Sequence, residues 1–161
     1  MCIRDSVLAH RYELVDARLS EAGMSWYEVS NWSRPGGECR PNLGYWNGGQ
    51  WWGAGPGAHG YVGATRWWNV KHPNAYAELL ADAALPVGGF ERLDPNALHT
   101  EEVLLQTRLR EGLPLDRLNA AERERAETVV ADGLLVPEGD RLVLTPRGRL
   151  LGDAVVRTLL G

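Results

Sequence analysis

The chain has 161 residues, enough for one large domain or two small ones with a real core. A formal charge of −4 and a pI near 5.6 provide no basic field for phosphate backbones, which argues against nucleic acid as a main partner. No apolar run approaches a membrane span and no signal peptide is visible, so a cytoplasmic location is expected, with peripheral membrane contact left open.

The opening residues Met1-Cys2-Ile3-Arg4-Asp5-Ser6 carry no periodicity into the next helix and read as translated adapter sequence. Residues 1–6 are therefore taken as a non-native leader, with the chain as the C-terminal portion of a longer protein. Leu8, Tyr12, Val15 and Leu19 recur at helical spacing and predict a helix from about Val7 to Ala22, capped by Gly23. Trp26 to Asn31 is β-prone and alternating, which predicts a strand after a helix, as in an αβ unit. Ser33 to Gly37 breaks the chain, and Gln50 to Gly55 is expected to be a second short strand with the GAGPG run as its exit loop.

Trp67 and Trp68 precede Pro73, which suits the first position of a helix from Asn74 to Ala83, and Ala84 to Leu93 reads as a linker. From Asp94 onward there is no aromatic residue, and that shift marks a domain boundary. Leu98, Leu105 and Leu109 make one helical stripe; Ala126, Val129 and Val130 make another on a helix over about 120–131. Residues 133–136 and 141–144 flank Pro137-Glu138-Gly139-Asp140 as a β-hairpin, and Thr145-Pro146 opens a last helix with Leu151, Ala154, Val155 and Leu159 buried. Helix, helix, hairpin and helix suggest a winged-helix-like module. Ten arginines against thirteen acids from Glu91 onward, with Glu122, Glu124 and Glu127 on the helix that would enter a groove, favour docking or packing over DNA binding.

All seven tryptophans lie between Trp26 and Trp68, and ten of the nineteen glycines between Gly36 and Gly63. Rings bury area and glycines admit close backbone approach, so the segment reads either as a surface for a large planar ligand or as a tryptophan-lined packing layer between turns. Cys2 and Cys39 lie in neither a CxxC nor a CxxxCxxC spacing, and the chain has no GxSxG, HExxH or distinctive carboxylate pair.

The string YEVSNWSRPGGECRPNLGYW, continued by WWGAGPGAHG and RWWNVKHP, and the tail GLLVPEGDRLVLTPRGRLLGDAVVRTLL, resemble the C-terminal half of HemW-type proteins, radical-SAM relatives of oxygen-independent coproporphyrinogen III oxidase. The resemblance implies an α/β fold: the C-terminal portion of a partial radical-SAM (β/α) barrel over 7–86, a linker over 87–93, and a small α+β winged-helix-like HemN-type C-terminal domain over 94–161. It also implies a [4Fe–4S] cluster and S-adenosylmethionine in the full-length parent. The CxxxCxxC cluster motif has no match here, so the chain by itself should be inactive.

By the same resemblance Gly53, Gly55, Gly57 and Ala58 match the loop that passes close to S-adenosylmethionine, against the alternative of a tight strand-exit turn. The family's HNxxYW haem motif corresponds to Pro41-Asn42-Leu43-Gly44-Tyr45-Trp46, with proline replacing the histidine. Haem iron needs an axial donor. Asn42, Tyr45 and Trp46 thus remain as haem-contact candidates and His59, in the GAHG run, stands as the substitute ligand; Cys39 and Tyr45 are weaker donors, and a structural hydrogen bond is the plainer role for His59. Trp46, Trp51 and Trp52 are candidates to stack on a porphyrin or to cover the barrel mouth, and Lys71 and His72 to pair with propionates or to start a helix. The function implied is a haem chaperone that binds haem and delivers it to acceptor proteins. The alternatives are oxidative decarboxylation of coproporphyrinogen III to protoporphyrinogen IX, and a non-enzymatic interaction module.

Overall fold

The computed structural model describes residues 3–161, and no helix among them is long and apolar enough to cross a membrane. Met1 and Cys2, part of the leader assigned above, lie outside the described residues. Ile3 onward is helical. The chain forms two compact units, one of Met1–Asn47 with Glu102–Gly161 and the other of Gly48–Glu101.

In the first unit, α1 (Ile3–Glu21) ends where Gly23 takes φ +76 and the amides of Gly23 and Met24 return to the carbonyls of Ser20 and Leu19, a left-handed stop that glycine adopts at little cost. The strand expected over 26–31 is two strands: β1 (Ser25–Glu28) folds back on β2 (Asn31–Ser33) as an antiparallel pair with Trp26 opposite Trp32. Alternation within one six-residue run does not reveal a turn inside it. Next comes α2 (Arg40–Trp46), with Pro41 in its first turn, where a missing N–H costs nothing.

Beyond α4 (Pro95–Thr107), β6 (Leu113–Pro114) and a short 3₁₀ turn lead to α5 (Ala120–Ala131), opened by a capping box in which Asn119 and Glu122 satisfy each other's backbone amides. The expected hairpin is β7 (Leu135–Glu138) and β8 (Arg141–Leu144), joined by β6 in the order β6-β8-β7. The last helix is two: α6 (Pro146–Leu150) and α7 (Gly152–Leu160), broken at Leu151 with φ −120. The break turns Leu151 outward, 41 % exposed, and brings Val156 inward with Val155 and Leu159, correcting the expected stripe. Val103, Leu113, Ala126, Val129, Leu142, Leu144 and Leu159 form one core with Trp26.

A half-buried ion pair closes this unit. The Arg149 guanidinium donates to both Asp16 oxygens at 2.9 and 2.6 Å and to the Tyr12 hydroxyl at 3.2 Å, and lies 4.8 Å from the Trp26 ring. Trp32 donates to Asp16 at 2.6 Å and Tyr12 donates to the Val29 carbonyl at 2.8 Å, so α1, the β1–β2 hairpin and α6 share one network.

The second unit is an antiparallel sheet in the order β3-β4-β5, built from β3 (His59–Val62), β4 (Thr65–Asn69) and β5 (Val87–Arg92), with α3 (Pro73–Ala81) between the last two. Two expectations change here. Residues 87–92, read as linker, are a strand, because Pro86, Gly88 and Gly89 hide a segment whose β structure comes from its partner: the Trp68 ring lies where a Cβ on Gly89 would stand, 2.5 Å away. Aromatic cover of a strand glycine compensates its weak intrinsic preference. The strand expected over 50–55 is only a single antiparallel bridge, Trp51 to Tyr61. Every strand pairing among the described residues is antiparallel.

Candidate ligand-binding site

The density of glycine and tryptophan has its first explanation within the sheet. Trp67 stands opposite Gly60 and its ring lies 2.1 Å from where a Gly60 Cβ would sit; Trp68 does the same over Gly89 from the neighbouring strand. Successive residues of a strand face opposite sides, so one tryptophan covers a glycine on each face. Ring-on-glycine packing is thus part of the fold itself.

The glycine loop is held from three directions. Asn69, 3 % exposed at the end of β4, donates its amide to the carbonyls of Gly53 at 3.0 Å and Gly55 at 2.9 Å. The Gly55 N–H donates to the Tyr76 hydroxyl of α3 at 3.0 Å, and the Gly57 N–H to the Val70 carbonyl at 2.9 Å. At Gly53 a Cβ would lie 2.2 Å from the His59 carbonyl oxygen, so β3 itself demands glycine there. Gly55 differs: its φ is +105 and no atom lies within 4 Å of where a Cβ would stand, so its backbone is open to approach. Sequence reasoning missed Asn69. Its one legible signal is a carboxamide at the end of an aromatic strand.

On α2, Asn42 donates to the Tyr27 hydroxyl at 3.3 Å, Tyr45 is 47 % exposed, and Trp46 lies under the Arg108 guanidinium at 5.7 Å. These three belong to the first unit, whereas His59, on β3, belongs to the second. His59 is exposed, paired in register with Trp68, its ring 6.1 Å from that indole. Trp51 and Trp52 part company: Trp51 packs on Tyr61 at 5.3 Å with the rings tilted by 42° and donates to the His59 carbonyl, while Trp52 meets Trp67 edge-on at 4.8 Å and 60°. His72 is the N-cap residue of α3, and Lys71 packs near Gly57, placing both at the helix start.

A groove of about 350 Å³ lies along the Trp52 and Trp67 side of the second unit. Leu80, Leu85, Pro86 and Phe90 also line it, with Tyr76 beside them. Its surface is overwhelmingly apolar, the character of a site for a hydrophobic small molecule rather than for a hydrated ion. No three His, Cys, Asp or Glu side chains among the described residues are placed to hold a metal ion.

A model of the HemN C-terminal domain matches residues 93–151. The chain is 80 % identical over 157 residues to the heme chaperone HemW of Mycobacterium tuberculosis strain H37Rv, an alignment covering 98 % of this chain and 40 % of that protein. It is 31 % identical over 161 residues to the heme chaperone HemW of Bacillus subtilis, covering 95 % and 42 %. The structure resembles coproporphyrinogen III oxidase (HemN) of Escherichia coli, a radical SAM enzyme, with a TM-score of 0.67 over 91 % of this chain and 39 % of that one. At 15 % identity this last likeness concerns the α/β fold alone. The chain spans about two fifths of the length of these relatives. Over nearly its whole length the chain is similar to proteins named heme chaperone HemW, and its residues 93–151 match the HemN C-terminal domain.

Proposed function

We propose that this chain is part of a haem chaperone that binds haem and passes it to acceptor proteins. The observation that carries the reading is the 80 % identity, across nearly the whole chain, to proteins named heme chaperone HemW. Exposed rings in the second unit support it, because a porphyrin is held largely by apolar and stacking contact. We assign Asn42, Tyr45 and Trp46 of α2 as haem-contact residues of the first unit and, separately, His59 of β3 as an imidazole donor to haem iron on the second.

A [4Fe–4S] cluster and S-adenosylmethionine accompany this reading, and together they supply radical chemistry when bound. The cluster does not fit this chain: it holds two cysteines in all, and no metal-binding group occurs among the described residues. Its ligands belong to other residues of the parent. S-adenosylmethionine fits better, since Gly55 presents open backbone and Gly53, Gly57 and Ala58 shape the same tethered loop.

The test is hemin titration of the chain. A Soret band should develop and saturate, and His59→Ala should shift that band. An unchanged spectrum on adding hemin would remove the haem reading. Turnover of coproporphyrinogen III by the complete parent, with cluster and S-adenosylmethionine supplied, would instead favour the decarboxylase.

A further inference from the structure

The β3-β4-β5 sheet has two unlike faces. Antiparallel register places Thr65, Trp67 and Asn69 on the side of Phe90 and Arg92, whereas Arg66 and Trp68 share the other side with Glu91 and His59. The groove opens on the first side. Trp52 is 68 % exposed there, Phe90 70 % and Leu85 70 %, a contiguous apolar surface of the kind that marks a binding site.

Three features select the occupant. Trp52 meets Trp67 edge-on and keeps most of its own surface open, which favours a flat partner. Two polar groups of the wall are engaged within the loop, the Asn69 amide holding the Gly53 and Gly55 carbonyls and the Tyr76 hydroxyl accepting the Gly55 N–H, and apart from Thr65 the rest of the side-chain lining is apolar. The groove therefore selects for apolar surface, not for hydrogen-bonding groups. Arg92, exposed and opposite Thr65, ends the row beyond Phe90 on this same face, so a cation stands at one end of an aromatic row. Glu91 faces the other side, where it pairs with Arg66 at 3.2 Å.

We propose that this groove is a porphyrin-binding surface, additional to the residues assigned above and independent of His59, holding the macrocycle against Trp52 and Phe90 with a carboxylate edge toward Arg92. The proposal rests on the haem reading of this chain and names where in the second unit the ring system lies. Because His59 is on the opposite sheet face, retention in the groove needs no bond from that imidazole.

Iron-free protoporphyrin IX separates the two. Titrated into the chain and followed by tryptophan quenching and the Soret band, it should bind the unaltered protein and the His59→Ala variant equally. Trp52→Ala and Phe90→Ala should each weaken it about tenfold, the loss expected when about 1.4 kcal/mol of ring contact is removed. Arg92→Glu should weaken protoporphyrin IX but not its dimethyl ester. All three side chains are exposed, and unchanged far-ultraviolet circular dichroism should show that the variants fold. Undiminished binding of protoporphyrin IX by the Trp52, Phe90 and Arg92 variants, beside a hemin spectrum that depends on His59, would overturn the groove and leave the haem reading standing. Absence of any hemin or protoporphyrin binding by the unaltered chain would overturn both.

Discussion

Glycines of this chain serve opposite ends, and substitution separates them. Gly60 lies beneath the Trp67 ring, with no room for a Cβ, whereas Gly44 sits within α2 with nothing within 4 Å of that position. Gly60→Ala should therefore displace Trp67 and lower stability by about 2 kcal/mol or more, as overpacking does. Gly44→Ala should raise stability by about 0.5–1 kcal/mol through helix preference. Urea unfolding of the two variants checks both signs. Asn69 gives a second test at this scale: Asn69→Ala removes the side-chain donor to the Gly53 and Gly55 carbonyls, of which Gly55 keeps the Ala58 N–H, and should cost about 1 kcal/mol, with faster amide exchange in the loop. The glycine run itself was legible in the sequence. Its division into glycines required by a facing ring, by a neighbouring carbonyl, or by a left-handed φ was not, because the facing atoms come from other strands.

Among the elements, those with local signals stand where expected. Gly23 stops α1, Pro73 starts α3, and α5 runs from Ala120 to Ala131 as its apolar spacing and Asn119 cap require. Asn119→Ala removes one half of the capping box and should cost about 1 kcal/mol, measurable as a shift of the urea midpoint without a change of slope. Elements without local signals escaped: β5 is stabilised by Trp67 and Trp68 across the ladder, and β6 is two residues long. The broken last helix belongs with them. Gly148 must be glycine because a Cβ there would lie 1.9 Å from the Leu134 carbonyl, a contact made only once α6 meets the end of α5 and the start of β7.

At the scale of the whole molecule, the ion pair Arg149–Asp16 joins residues 133 positions apart and carries a pH signature. Hydrogen bonds from Arg149 hold the Asp16 carboxyl below its usual 3.8, despite the opposing effect of burial. A carboxyl whose folded pKa is depressed contributes stability that is fully present above the unfolded value and lost as pH falls through the folded one. Stability of the first unit should accordingly be flat above about pH 5 and decline below about pH 4. Asp16→Asn should remove that component of the acid dependence and cost about 1–2 kcal/mol at neutral pH, since Arg149 would remain covered without its counter-charge while Asp16 is partly solvated. Thermal unfolding of both forms between pH 3 and pH 7 measures this.

The similarity to HemW-type proteins, the winged-helix-like order of the C-terminal elements and the aromatic-glycine segment were all determined by the amino-acid sequence, because caps, breaks, apolar periods and motif order are short-range patterns. The sheet faces were decided by tertiary structure alone. Trp51 and Trp52 are neighbours in the chain yet serve opposite sides, and Phe90 and Arg92 reach the Trp67 face only through pairing across 23 to 27 residues, Trp67 with Phe90 and Thr65 with Arg92. Strand register sets which side chains share a face, and a one-residue change in it would exchange the groove for the His59 side.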